Sequence, residues 1–289
     1  TLDRSSAASD VYKRQMEITN EGTEVLSQLS DYFNVYSDDH RMARAIKKKF
    51  DIKDVHVIPG DSDSNQTVKR EIGRQAGQLL ESILYEDAIV SVTGGSTMAY
   101  VSESIHLLPF NVFFVPARGG LGENMVYQAN TISSSMAQQA GGYYTTLYVP
   151  DNVSESTYDT LMLEPSVIHT LDKIKQANVT IHGIGDALKM AHRRQSPKEV
   201  IDKLQHHQAV GEAFGYYFDA QGKVVHKVKT IGLQLEDLES KDFIFAVAGG
   251  QSKGEAIKAY LSIAPENTVL ITDEAAAVSY THLTLPTSD

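Results

Sequence analysis

Four short apolar runs in this sequence each end in a glycine-rich turn that leads directly into a helical pattern. The four segments are residues 89–97, 112–124, 179–187 and 244–256. A strand, a glycine turn and a helix start together present backbone N–H groups and the positive end of a helix dipole, and both favour phosphate. If the four strands are parallel, their turns line one edge of one sheet. The pattern therefore predicts a phosphorylated ligand at that edge.

The first turn, TGGST, carries the densest set of phosphate donors. Gly94 and Gly95 permit close backbone approach, and Thr93, Ser96 and Thr97 supply hydroxyl groups at a helix start. The turn lacks the lysine of a Walker loop and the third glycine of a dinucleotide fingerprint, so a nucleotide is not favoured. The alternative is that Ser96 or Thr97 only caps the helix.

Two cations stand in the second and fourth turns. Arg118 lies in PARGG, where an arginine suits bidentate phosphate binding, and Lys253 lies in GGQSK. Both are predicted ligands of the phosphorylated molecule. The alternative for Arg118 is a surface ion pair with Glu123.

Several other polar residues have a structural interpretation beside a functional one. Asp186, in the third turn, could hold a sugar hydroxyl or cap its helix. From the pattern alone, Arg193 and Arg194 are expected to face solvent. A solvated helix end is favoured over a metal site for His206 and His207, since no second cluster accompanies them. Sheet packing is predicted for four tyrosines, Tyr143, Tyr144, Tyr216 and Tyr217.

No catalytic set is visible. Asp186, Glu212 and Asp273 could each act as a base, yet none lies in a motif that requires chemistry. A pocket with donors and no evident base favours a sensor over an enzyme. The rival interpretation is a sugar-phosphate isomerase or deaminase, and a purely structural oligomerisation module is a third.

Composition restricts the class of protein. The 289 residues carry a net charge of −11, contain no cysteine and include no apolar run long enough to span a membrane. The acidic balance disfavours nucleic-acid binding by this chain itself. We expect a cytoplasmic protein that needs neither a metal nor a cofactor.

The order of elements predicts an α/β fold with a parallel sheet covered by helices on both faces. Two helical patterns come first, one with Val25, Leu29, Tyr32 and Tyr36 and one running from Asp38 to Lys49. They form either an arm to an upstream domain or a hairpin packed on this one. Strands and helices then alternate, with a helix aligning Met125, Ala129, Ile132 and Met136, a strand at 144–149 and a β-hairpin at 213–228. The ends at 1–15 and 278–289 look foreign and without periodicity, which leaves a helical linker at 16–50 and an effector domain at 51–277.

The motifs VTGGST, FVPARGGLGE, QANTI, HGIGDA, MAHRR, EAFGYYFDAQGKVVHKV, AVAGGQSK and TVLITDEAAA together resemble the SorC family of sugar-responsive transcriptional repressors, from about Glu17 to Ala277. The resemblance implies a Rossmann-like fold similar to sugar-phosphate isomerases and deaminases, with catalysis lost. It implies fructose-1,6-bisphosphate as the effector that releases the repressor from DNA, and assembly into dimers and tetramers. Operator DNA would be bound through a winged-helix domain preceding Met16, which this sequence does not contain.

The resemblance also assigns site residues. It implies that Gly95, Ser96 and Thr97 meet one phosphate, although the family usually has threonine where this chain has Ser96. The sugar and the second phosphate would be contacted by Arg118, Gln128, Arg193, Glu212 and Lys253. It thus moves Arg193 from the solvent into the site.

Overall fold

The computed structural model describes residues 38–120, 124–151 and 153–281. It contains a large sheet and a small one. The strands are β1 (Asp54–Ile58), β2 (Ala88–Val92), β3 (Val112–Pro116), β4 (Tyr143–Tyr144), β5 (Val179–His182), β6 (Gly185–Asp186), β7 (Gly211–Ala213), β8 (Tyr216–Phe218), β9 (Val224–Lys227), β10 (Phe243–Val247) and β11 (Thr268–Asp273).

Ten α-helices connect these strands within the described ranges. They are α1 (Asp38–Phe50), α2 (Gln66–Ile83), α3 (Ser96–Glu103), α4 (Ala129–Ala140), α5 (Glu155–Leu161), α6 (Pro165–Gln176), α7 (Ala187–Arg193), α8 (Lys198–His206), α9 (Gly254–Leu261) and α10 (Glu274–Thr281). Three 3₁₀ turns lie at Met125–Tyr127, Leu235–Ser240 and Gln251–Lys253.

The large sheet has seven parallel strands in the order β1-β11-β10-β5-β2-β3-β4. Its central strands are continuous apolar runs because helices bury both faces; β11, for example, is buried at every position. One core lies under α2, α3 and α4, and a second lies on the opposite face with residues of α1, α6, α9 and α10. The predicted parallel α/β fold is confirmed.

The strands that precede the four glycine turns are neighbours, in the order β10-β5-β2-β3. Because all four run in the same direction, their carboxyl ends and the turns that follow lie at one edge of the sheet. The expectation that the four turns share one edge is confirmed.

The small sheet is antiparallel, in the order β6-β7-β8-β9. The predicted hairpin is confirmed as β8 and β9, whose turn closes through hydrogen bonds from Lys223 N–H and Gln221 N–H to the Asp219 carboxylate. The sheet places Glu212 of β7 beside Gly185 of β6, at the same edge as the glycine turns.

Three local expectations are wrong. Met125 lies in a 3₁₀ turn and is 70% exposed, because α4 begins only at Ala129. The predicted strand at 144–149 is reduced to the two residues of β4. Tyr143 and Tyr144 lie on this short edge strand and are exposed, whereas Tyr216 and Tyr217 pack inside as predicted.

From Met42 to Phe50, helix α1 packs into the core. Met42 and Ile46 are buried, and the Lys49 ammonium donates to the Tyr280 carbonyl of α10 at 3.0 Å. Tyr280 is itself buried against Phe50, so the expectation that 278–281 has no helical structure is wrong.

The helical pattern from Val25 to Tyr36 and the ends at 1–15 and 282–289 lie outside the described residues. No helix in the described ranges is both long enough and apolar enough to cross a membrane.

A buried histidine makes the stability of the fold depend on pH. His182 lies under the cleft edge, with its Nε2 2.8 Å from the Tyr260 hydroxyl and its Nδ1 3.0 Å from the Gly183 carbonyl. Burial lowers the pKa of His182 to about 4, opposed by the Gly183 carbonyl and Glu212. The unfolded chain therefore takes up this proton first, at about pH 6.5, and the folded chain only near pH 4.

We expect the free energy of unfolding to fall by about 2 kcal/mol between pH 7.5 and pH 5 from this group alone. The contribution is present above the unfolded pKa and is lost as the pH falls. Urea unfolding at both pH values would show this difference for the wild type and a smaller one for His182→Gln. Equal pH sensitivity in the two proteins would contradict the assignment.

Candidate functional site

A cleft of about 920 Å³, including the solvent at its mouth, lies at the carboxyl ends of β10, β5, β2 and β3. All ten residues predicted for the site line it, although they come from separate segments of the chain. They are Thr93, Gly94, Gly95, Ser96, Thr97, Arg118, Gln128, Arg193, Glu212 and Lys253.

The first glycine turn presents the start of α3 to the cleft. Gly95 is its N-cap at φ +134°, a conformation that side-chain-bearing residues rarely adopt, and its N–H donates to the Tyr127 carbonyl at 2.8 Å. No side chain caps α3, and no acid lies in its first turn. The alternative that Ser96 or Thr97 only caps this helix is therefore wrong. The uncapped start of α3 suits an anion.

Arg118 belongs to a buried group of four charges that we call the tetrad: Arg118, Asp151, Arg194 and Glu212. Its guanidinium forms an ion pair with Asp151 and a longer one, 3.4 Å from Nη1 to Oε1, with Glu212. Arg118 is only 8% exposed, so the alternative of an ion pair on the surface is wrong: the ion pairs of Arg118 are buried. Glu123 lies outside the described residues. The charge of Arg118 is matched inside the protein before any ligand binds.

Arg194 completes the tetrad from the end of α7. Its Nε donates to Asp151 at 2.9 Å, its Nη2 to Glu212 at 2.8 Å and its Nη1 to the Tyr217 hydroxyl at 2.8 Å. Burial opposes its charge, but Glu212 and Asp151 raise its pKa. The expectation that Arg194 faces solvent is wrong because these partners offset the cost of burial. Arg193, one position earlier, is partly exposed and lines the cleft.

Glu212 is ionised and firmly held. Burial alone would raise its pKa, but Arg194, Arg118 and a 2.6 Å hydrogen bond from Gly215 N–H hold the pKa below its usual range. A carboxylate in this state is a poor proton acceptor. Glu212 therefore supports the cleft wall electrostatically.

The fourth glycine turn satisfies its own backbone donors. The N–H groups of Gly250, Gln251 and Ser252 donate to Asp273 at 2.7 Å, Asp61 at 3.3 Å and Asp63 at 2.7 Å, respectively. Carboxylates of the chain thus occupy positions where the sequence suggested a phosphate. What this turn presents to the cleft is the side chain of Lys253.

The ammonium of Lys253 loses its proton more readily than that of an exposed lysine. Burial lowers its pKa to about 8, and repulsion from Lys69 and Lys189 acts in the same direction, against attraction to Asp63 and Asp273. A phosphate beside this ammonium would restore its preference for the charged form.

The third turn lines the cleft with Gly183, Ile184 and Gly185, and the carboxylate of Asp186 is not part of the lining. Asp186 caps α7 by accepting from Lys189 N–H at 2.8 Å, so of its two interpretations the structure shows the cap. The Gly183 N–H donates to the Thr93 hydroxyl at 3.3 Å, which joins the third turn to the first. His206 and His207 are exposed at the end of α8, and the described residues contain no cluster of metal-ligand side chains.

Sequence reasoning missed two residues of this region. Asp151 follows an irregular segment and lies in no motif, so only the fold shows that it joins Arg118 to Arg194. Lys69 lies on the polar side of α2, yet its ammonium donates to the Ser96 hydroxyl at 2.7 Å.

Comparison with known proteins gives consistent results. A family model described as "Putative sugar-binding domain" matches residues 35–279. The central glycolytic genes regulators of Priestia megaterium and Bacillus subtilis are each 45% identical to this chain, covering 93% of it and 79% of each relative. Among solved structures, one described as a "putative SorC family transcriptional regulator from Enterococcus faecalis" matches with a TM-score of 0.78 and 43% identity, covering 82% of this chain and 98% of that one.

The tetrad predicts that Arg118 stabilises the unliganded protein. Arg118→Met leaves Asp151 and Glu212 with one arginine, and we expect a loss of about 3–5 kcal/mol and a melting temperature lower by roughly 10 °C. Arg70→Met removes an exposed arginine that lies over the Tyr100 ring and should cost under about 1 kcal/mol. Differential scanning calorimetry without ligand measures both. Equal melting temperatures for the two variants would show that the tetrad contributes little.

Proposed function

The chain belongs to this family of sugar-binding domains from SorC-type transcriptional regulators, and we propose that it senses fructose-1,6-bisphosphate for a repressor of glycolytic genes. The observation that carries the proposal is the single cleft that gathers an uncapped helix start, Arg193 and Lys253. The regulators of glycolytic genes at 45% identity support the biological role.

One phosphate is assigned to the first glycine turn, where Gly95, Ser96 and Thr97 surround the start of α3. The remaining contacts with the sugar and with the phosphates are assigned to the other cleft residues, Arg118, Gln128, Arg193, Glu212 and Lys253. Within the tetrad, Arg118 and Glu212 offset each other. The positive charge that attracts the phosphates therefore comes mainly from the other cations of the cleft.

A sensor is favoured over an isomerase or deaminase by how the candidate bases are engaged. Asp186 caps α7, and Glu212 is held ionised by two arginines. Asp273 accepts hydrogen bonds from Gly250, Ser62 and Ala276 N–H groups. Incubation with ribose 5-phosphate and with glucosamine 6-phosphate tests the enzyme directly, and steady turnover would favour it.

Ligand binding is proposed to change how copies of the chain associate, as dimers or tetramers, and thereby the affinity of the intact regulator for its operator. Support comes from the 3₁₀ turn at Met125–Tyr127. Its Tyr127 carbonyl holds the Gly95 N–H of the phosphate turn, while Met125 and Val126 are exposed on the surface. A single hydrogen bond, from Gly95 N–H to the Tyr127 carbonyl, therefore connects the proposed anion site to an apolar turn on the surface. An anion that shifts Gly95 would shift this turn as well.

Lys253→Met should weaken binding without harming the fold. Removing the ammonium deletes a charge-assisted contact to phosphate, and we expect the Kd for fructose-1,6-bisphosphate to rise about 10-fold or more. The unliganded melting temperature should not fall, since burial and repulsion from Lys69 and Lys189 disfavour the ammonium more than Asp63 and Asp273 favour it. Calorimetric titration of the wild type and the variant measures the change. No heat from folded wild type at millimolar ligand would overturn the bisphosphate assignment.

The affinity should also fall in alkaline solution. Lys253 loses its proton near pH 8 in the free protein, and a bound phosphate dianion raises that pKa. The Kd should therefore rise with pH above about 8. Binding at pH 8 should be accompanied by proton uptake at Lys253, and the phosphate releases no proton in exchange because it is already fully ionised. Titrations at pH 7 to 9.5 in buffers of different ionisation enthalpy test this. In Lys253→Met the dependence should flatten, and an unchanged profile would contradict the role.

A further inference from the structure

The hydroxyl of Ser96, assigned to a phosphate, already has a cationic partner. The Lys69 ammonium of α2 donates to it at 2.7 Å. Helix α2 is held in place by its buried face, which includes Val68 and Ile72, and by Asn65, whose side chain caps it at Thr67 N–H. Lys69 is therefore directed at the first glycine turn by a rigid element.

This placement is unfavourable for the unliganded protein. Lys69 lies near the N-terminus of α2, where the helix dipole disfavours a cation, and no acid in the first turn offsets it. It also lies close enough to Lys253 to repel its ammonium, as Lys189 does. Within the described ranges, no carboxylate forms a salt bridge with Lys69 or Lys253. The nearby Asp63 and Asp273 are engaged with the N–H groups of the fourth turn.

Clustered ammonium groups beside an uncapped helix start and two hydroxyls have one chemical complement, an oxyanion of high charge. We infer that Lys69 is a phosphate-binding residue that, together with Lys253, clamps a phosphomonoester dianion against Ser96 and the start of α3. The inference rests on the proposed sugar-phosphate function and deepens it, since it identifies the cations that make the first turn a phosphate subsite.

The clamp also determines which ligands are accepted. Two ammonium groups favour a dianion over a monoanion or a neutral hydroxyl, because the ligand must offset both charges and their mutual repulsion. A phosphomonoester should therefore bind much better than the same sugar without phosphate. Inorganic phosphate should compete for the same subsite.

The decisive experiment compares Lys69→Met with Arg70→Met, which removes an equal charge from the next position of the same helix. We expect Lys69→Met to weaken fructose-1,6-bisphosphate and inorganic phosphate by about 10-fold to 100-fold, and Arg70→Met by less than about 3-fold. Lys69→Arg keeps the charge and should recover much of the affinity. Melting curves of the unliganded variants confirm that each is folded.

A second measurement separates ligand contact from a structural role. Lys69 and Lys189 lower the pKa of Lys253, while Asp63 and Asp273 raise it. Removing Lys69 should therefore move the alkaline loss of affinity to higher pH, which a change in packing alone would not do. Arg70→Met should leave that pH unchanged.

The outcomes distinguish the two levels of the proposal. If the folded wild type binds neither the bisphosphate nor inorganic phosphate, the proposed function fails. If the wild type binds and Lys69→Met matches Arg70→Met in affinity and pH profile, the proposed function survives and the inference about Lys69 is overturned.

Discussion

The cleft depends on the tetrad, a buried group of two arginines and two carboxylates, of which Arg118 and Glu212 line the cleft wall. Arg118 follows β3, Asp151 lies in the loop beyond β4, Arg194 ends α7, and Glu212 lies in β7. The four charges come from four separate segments of the chain, and each would be costly to bury alone. Because the tetrad carries no net charge, its four members need no ligand to offset their charges.

The division between charges paired within the protein and ammonium groups that repel one another gives a physical basis for the proposed preference for a phosphorylated ligand. Ionised groups that are fully matched within the protein gain little from a phosphate, whereas clustered ammonium groups gain most when a dianion arrives. An acid–base enzyme of the proposed rival class would need a carboxylate that keeps a proton-accepting role. Here the carboxylates near the cleft serve as caps, ion-pair partners and occupants of a backbone turn.

Much of this arrangement could be predicted from the sequence because glycine turns after apolar strands have local signatures. Residues 93–97, Arg118 and Lys253 lie in such turns, and a parallel sheet brings the turns together without further information. Asp151 and Lys69 carry no local signature, since their roles depend on partners distant in the sequence and near only in the fold. The solvent-facing position expected for Arg194 is wrong because helix periodicity carries no information about Asp151 and Glu212, the buried carboxylates with which Arg194 pairs. For the same reason, the sequence does not indicate that Asp61 and Asp63 accept hydrogen bonds from the backbone N–H groups of the fourth turn.

The strand order has a consequence for how the cleft comes into being. Its walls are built from β2, β3, β5 and β10, so the chain from Thr93 to Lys253, more than half of the sequence, must be in place before the first ligand can bind. Parallel neighbours this far apart form slowly because long loops must close first. During synthesis, a ribosome-bound chain that has not yet released β10 has no complete cleft. A ligand of this cleft would therefore bind and stabilise only molecules that have already reached the native topology.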